Sequence, residues 1–405
     1  MRRSPSVLLL VLGVLASAAT AQWSTPTNLG APLNTTASDY YPQFSYDGLI
    51  LRWSNGNSTP PGGWGVYQTQ RLTRHSPWGA LTVEPGGIQT PSNDLSVWVF
   101  RDELTCYFTT ITGTTDIHAV TRALPTDPWG APAIIPELVG TGTDFGVTVT
   151  ADGLYMLWSG ARTGAGDIYE SSRPTPTSPW TPPILVTNLS RTTADYGPSL
   201  SPDGLTVYLC QTGVGGPGGW DVVQSTRKLR TDPWPLPVLV ANVSSVSLER
   251  EVDVSADGRE LVVTSDRAGG IGGPDTWYST FTGLSHENLP QPGQPLLIHV
   301  TNAARAGNGY VVGAALSSTP GIPVPAVGTI PLAFDALLLL STSGALPTVF
   351  TNFAGLLDTY GEATATLNFP AVPALAGLPF SIAAVTYDMT GINWISNGED
   401  LQINP

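Results

Sequence analysis

The chain has 405 residues, with 44 glycines, 37 prolines, only 12% charged residues and a formal net charge of −14. That acid excess repels phosphate backbones, so nucleic acid is not an expected partner. Short apolar runs between Gly, Pro, Asn and Asp clusters, with no long stretch of helical periodicity, predict an all-β protein.

In chain order, Arg2 and Arg3 precede an apolar run over residues 7–15 and then Ala19-Thr20-Ala21. This reads as a signal peptide over 1–21, with a mature chain beginning at Gln22 and an extracytoplasmic destination, periplasm or cell surface. The run is too short to span a bilayer. No later segment reads as a membrane helix, residues 336–340 being taken as part of a buried strand.

Residues 22–283 repeat one unit five times. Each copy opens on an acid, Asp39, Asp94, Asp144, Asp195 or Glu249, followed by a short strand and an Asp turn. The turn aspartates Asp47, Asp102, Asp152, Asp203 and Asp257 lie 55, 50, 51 and 54 residues apart. Asp-Gly between two apolar runs is a strong hairpin signal. A Gly-rich loop then leads into a third strand, which in four copies ends at an arginine, Arg71, Arg122, Arg173 or Arg227. Pro-Trp and a fourth short strand follow, at Trp78, Trp129, Trp180 and Trp234. Four strands per unit predict one blade of a β-propeller, five blades in all. The fifth unit lacks its Pro-Trp strand, but Trp23 lies 55 residues before Trp78, in register. The N-terminal strand is therefore expected to close the last blade, beside residues 275–280, and so remove two exposed sheet edges.

The segment Trp23-Ser-Thr-Pro-Thr-Asn-Leu-Gly30, the turn Ser45-Tyr-Asp-Gly48 and the loop from Thr264-Ser-Asp-Arg267 to Asp275 resemble the TolB-like, WD-repeat-like propeller family. The resemblance spans residues 22–283 and departs at Asp102-Glu103 and Gly65. It implies a propeller that makes protein or glycan contacts outside the cytoplasm. Beyond a Pro-rich linker at 284–295, residues 296–405 carry five strand-like runs and are expected to form a β-sandwich accessory domain. That part is similar to the C-terminal sandwiches of secreted planctomycete-type bacterial proteins.

Chemistry is harder to place. Asp39, Asp94, Asp144, Asp195 and Glu249 start the strands that line a propeller channel, so they are candidate channel-mouth ligand groups. Such a ring can bind Ca²⁺ or serve a glycosidase, or each acid can bond its own blade. The fivefold repetition favours the last, because repeat scaffolds reuse internal contacts. Asp116, Asp167, Asp221 and Asp275 read as turn residues. The histidines His75, His118, His286 and His299 match no zinc spacing, and no metal or cofactor is expected. Cys106 and Cys210 fall in non-neighbouring blades and are expected as buried free thiols. Trp64 and Trp220 sit in long loops, where binding residues concentrate. The expected function is a secreted, non-enzymatic binding protein whose propeller face engages a glycan, a peptide or an envelope protein. The alternative is a five-bladed glycoside hydrolase, which requires a pair of free carboxyls about 5–10 Å apart.

Overall fold

The computed structural model describes residues 22–58, 63–90, 93–111, 115–162, 164, 166–191 and 193–405. The signal-peptide reading, and the middle of the loop before Trp64, lie outside these residues. Among the described residues the chain is all-β apart from one short helix and three 3-10 turns.

Four separate four-stranded antiparallel sheets follow one another along the chain. The first holds Asp39–Phe44, Ile50–Ser58, Gly63–Gln70 and Thr82–Val83. The next three begin at Asn93–Val99, Asp144–Val149 and Asp195–Leu200. A fifth begins at Glu249–Val254 and runs through Glu260–Ser265 to Asp275–Glu287. The first strands stand side by side in sequence order, and that of the fifth sheet lies against that of the first. The fold is a β-propeller.

The edge of the fifth sheet is supplied by the N-terminus. Thr27 and Asn28 pair with Tyr278 and Trp277, the register in which Thr82 and Val83 pair with Gln68 and Tyr67. Trp23 continues the pairing opposite Phe281. The N-terminal strand thus closes this sheet as expected, with its pairing running on past residue 280 to Thr282.

Two repeated devices hold each sheet. At the turn, the carboxylate of Asp47, Asp102, Asp152, Asp203 or Asp257 accepts the N–H two residues on, at 2.9–3.2 Å. At the end of the third strand, the Nε of Arg71, Arg122, Arg173 or Arg227 donates to a carbonyl of that turn. The same guanidinium lies 4.0–4.3 Å from the ring of Trp78, Trp129, Trp180 or Trp234. Strand end, turn and Pro-Trp segment are thereby tied through one side chain. In the fifth sheet Phe281 replaces the arginine and packs on Trp23 at 5.1 Å.

The irregular second repeat has a physical reason. Glu103 occupies a left-handed position, φ 61°, where the other turns place glycine. Its carboxylate reaches the buried Arg52 of the first sheet and Arg122 of its own, while Arg52 also binds Glu84. An inter-sheet ion cluster thus offsets the backbone cost of a side chain at positive φ.

The strand Asp275–Glu287 continues past the propeller and pairs with Pro295–Thr301. Residues 284–287 of the expected linker are strand, and 288–294 form the hairpin turn. The carboxy-terminal residues build two antiparallel sheets around one apolar core, with Leu296, Ile298 and Val300 alternating inward against Tyr310, Val312 and Ala314. The expected strand at 336–340 is instead the helix Ala336–Thr342. Asp335 caps it by accepting the Leu338 N–H at 3.0 Å, and the run of leucines has no β-branched residue to favour a strand. Cys106 and Cys210 are buried and unbridged, as expected. Among the described residues, no helix is long and apolar enough to cross a membrane.

Candidate functional site: the channel mouth

The five first strands start on one face of the ring, and the Asp turns lie on the other. Asp39, Asp94, Asp144, Asp195 and Glu249 are all fully buried at the first face. Four of them accept the backbone N–H of the residue four positions earlier: Thr35, Thr90, Arg191 and Ser245, at 2.6–3.0 Å. Asp144 is held instead by Arg162, at 2.5 Å, and by the Trp158 indole N–H. Asp39 also accepts from Trp53 and Asn55, and Glu249 from Ser265 and Arg267. Burial raises every one of these carboxyls, Asp39 and Asp144 to about 6 and Asp195 to about 7. Each acid meets donors of its own sheet or of the segment leading into it, while Oδ1 of Asp195 is buried without a hydrogen-bond partner.

The next position on each strand faces outward and carries Tyr40, Leu95, Phe145, Tyr196 and Arg250, all half-buried. These residues meet the loop tryptophans. Phe145 packs on Tyr196 at 5.3 Å, and Tyr196 on Trp220 at 5.0 Å. The Arg250 guanidinium lies 4.8 Å from the Trp220 ring, and across it Tyr40 packs on Trp64 at 5.2 Å. Trp64 and Trp220, expected in long loops, instead lie at the starts of the strands Gly63–Gln70 and Trp220–Thr226 and are half-buried members of this arc. Arg250 was not singled out by the sequence. Its signal was there, as the one cation in a register otherwise filled by apolar and aromatic residues.

One residue further, every first strand is irregular. The ladder slips between positions two and five of the unit in four sheets, and between positions one and four in the fifth. Gly146 and Gly197 take positive φ there, and so do Tyr41 (55°) and Ser96 (53°), at a cost of about 1–3 kcal/mol each for a side-chain-bearing residue. The fifth sheet places Glu251 at this level. The bulge tucks these residues into a throat holding about 30 Å³ of open space, enough for a single water. Glu251 is 7% exposed, its Oε2 has no hydrogen-bond partner, and burial pushes its carboxyl up to about 8 against the pull of Arg250. Below it, Asp253 accepts the Phe44 N–H at 2.8 Å and the Ser199 hydroxyl at 2.9 Å, bridging three sheets, and is raised to about 7. The fivefold symmetry thus breaks in the fifth sheet, with Arg250, Glu251 and Asp253 in sequence.

The opposite, turn-bearing face is covered. His286 bridges Asp203 of the fourth sheet, at 2.9 Å, and Glu399 of the carboxy-terminal sheets, at 2.5 Å. Burial opposes its protonation, but the two carboxylates outweigh burial and hold His286 well above its usual value. His75 stacks on Tyr360 at 3.5 Å, and Arg259 joins Asp257 to Glu362 at 2.8 Å. A cleft of about 590 Å³ opens beside this junction, lined by Trp23, Tyr208, Phe281, His286 and Glu399. Its histidine is committed to the clamp. Among the described residues no group of three or more His, Cys, Asp and Glu is arranged to hold a metal.

No family model matches the chain, and no curated protein matches it. Among solved structures it is similar to TolB from Acinetobacter baumannii, at 12% identity over 60% of this chain and 54% of that one, with a TM-score of 0.37. It is similar to the catalytic domain of a Coprinopsis cinerea GH62 α-L-arabinofuranosidase, at 12% identity over 65% and 98%, TM-score 0.44. A Bacteroides ovatus protein titled xyloglucan PUL GH43B aligns at 11% identity over 94% and 92%, TM-score 0.39. The chain thus spans about half the length of TolB. At these identities and TM-scores the likenesses assign neither a substrate nor a residue role.

Proposed function

We propose that this chain is an extracytoplasmic glycan-binding protein: a five-bladed propeller of residues 22–283 that binds at its channel mouth, carrying a β-sandwich accessory domain on its other face. One observation carries the reading. The five repeated acids are enclosed by their own scaffold, while the aromatic side chains beside them keep partly exposed faces over a throat too narrow for a sugar. Aromatic faces over a rigid scaffold suit a ligand with an apolar ring surface and polar edges.

One observation favours the hydrolase alternative. Glu251 retains its proton at neutral pH, as a general acid must. Against it, Glu251 lies inside the throat, and the neighbouring carboxyl, Asp253, is spent on holding three sheets together.

A glycan array probed with the protein, beside a Trp64→Ala/Trp220→Ala variant, tests the proposal. Binding that drops at least about tenfold in the variant, with no reducing sugar released, is expected. Release of reducing sugar that disappears in Glu251→Gln would establish the hydrolase instead.

A further inference from the structure

We infer that the mouth recognises a carboxylated sugar, with Arg250 receiving the carboxylate and Trp220 and its neighbours receiving the ring. The inference rests on the glycan-binding reading above and specifies its ligand.

The first ground is that Arg250 is uncommitted. Among the described residues its guanidinium forms no ion pair and no hydrogen bond, and its Nε is buried without an acceptor. The other arginines beside the mouth acids are spent, Arg162 on Asp144, Arg267 on Glu249, and Arg191 on Gln211 and the Gly213 carbonyl. The neighbouring Asp266 accepts the Leu248 N–H. A desolvated donor without a partner costs about 1–3 kcal/mol, so the fold maintains Arg250 at a price that an incoming acceptor removes. The planar guanidinium offers paired N–H donors that match the two oxygens of a carboxylate.

The second ground is the uncompensated charge. The carboxyl next to it in sequence, Glu251, has an unpartnered oxygen in the throat lining and, raised to about 8 by burial, holds a proton at neutral pH. The mouth therefore presents a cation on a chain that is strongly acidic as a whole. Charge complementarity is local here and selects an anion that can reach the centre of the mouth.

The third ground is shape. Tyr196 and Trp220 lie on one side of Arg250 and Tyr40 with Trp64 on the other, all half-buried. A hexuronate unit carries its carboxylate directly on a rigid ring whose C–H face stacks on an aromatic side chain. Both contacts then form without freezing a flexible stem. An acidic peptide holds its carboxylate on rotatable bonds and loses more entropy on binding.

The test uses the whole protein with trigalacturonate, a neutral arabinan oligosaccharide and poly-L-glutamate, followed by calorimetry and tryptophan fluorescence. Trigalacturonate is expected to bind and to quench Trp220. Arg250→Gln is expected to weaken it at least about tenfold at unchanged melting temperature. Arg250→Lys, which keeps the charge and loses the fork, should fall between the two, and it stands in if the glutamine variant fails to fold. Uronate binding that is indifferent to both substitutions overturns the inference. Binding of neutral arabinan alone, indifferent to Arg250, overturns it while leaving the glycan-binding function standing. Poly-L-glutamate held as tightly through Arg250 overturns the sugar class. Binding of no glycan at all overturns both this inference and the function on which it rests.

Discussion

Arg250 and Glu251 are neighbours in sequence with opposite exposures, because the strand alternation sends one outward and the bulge sends the other into the throat. Their coupling makes the mouth sensitive to pH. Below about 8 Glu251 is neutral and the Arg250 charge stands alone; above it a carboxylate forms beside the guanidinium. The phenols and the thiol around Glu251 do not titrate in this range. Burial raises the Tyr40, Tyr41 and Tyr196 phenols and the Cys210 thiol above their ordinary values. Asp195 and Asp253, each at about 7, add changes of the same sign. Affinity for trigalacturonate should therefore fall several-fold between pH 6 and pH 9.5, and Glu251→Gln should remove most of that fall. A flat wild-type profile would contradict the coupling. Elsewhere at this scale, Glu103→Gln weakens two ion pairs of Arg52 and Arg122 and should cost about 3 kcal/mol in urea unfolding, the range for breaking a buried pair.

At the scale of elements, the architecture was legible because each repeated residue does its work locally. The turn Asp binds an amide two residues on, and the strand-leading acid binds one four residues back, so both leave a fixed spacing in the sequence. The arginine and the Pro-Trp tryptophan were both visible as repeats, while their stacking was not, since nothing in spacing says that two side chains meet. Trp23 was legible through its register alone. The mouth was hidden for the converse reason. Arg250 and Glu251 occur once, so the comparison of repeats that revealed the blades treated them as variation. The helix at 336–342 was misread because five apolar residues fit a strand equally well until the Asp335 cap is recognised. These local roles give a graded prediction. Arg173→Leu loses one carbonyl bond, a bond to the Tyr107 hydroxyl and the stacking on Trp180, and should cost about 1–2 kcal/mol. Trp23→Ala empties a buried site at the ring closure and should cost about 3–5 kcal/mol. Equal effects in chemical denaturation would mean that the N-terminal strand is no more than another edge.

At the scale of the whole molecule, the two faces are unequal. The turn face is joined to the carboxy-terminal sheets through charged side chains, and three of the four histidines, His75, His286 and His299, lie in that junction. The mouth face is left open. Both features tie stability to protons, and the signs can be worked out. Glu251, Asp253 and Asp195 have raised values in the folded state, so the folded chain holds protons that the unfolded chain has lost, and stability declines as pH rises through about 7–8. His286 is also raised, so its stabilisation is complete below its unfolded value near 6.5 and fades as pH climbs through the folded one. Asp203 and Glu287 are lowered, which protects the fold until acid protonates them below about 4. His299, lowered by burial, works against the histidine clamp only below about 6.5. The melting temperature should therefore peak in mild acid and drop by roughly 5 °C or more between pH 6.5 and 9. His286→Gln should lower it at pH 6 and converge towards the wild type as pH rises, because the charge that clamps Asp203 to Glu399 is then leaving the native protein as well. A melting temperature that climbs over this interval, or a His286→Gln difference that widens with pH, would show that the junction is held by its apolar contacts and that the buried acids of the channel contribute no proton linkage.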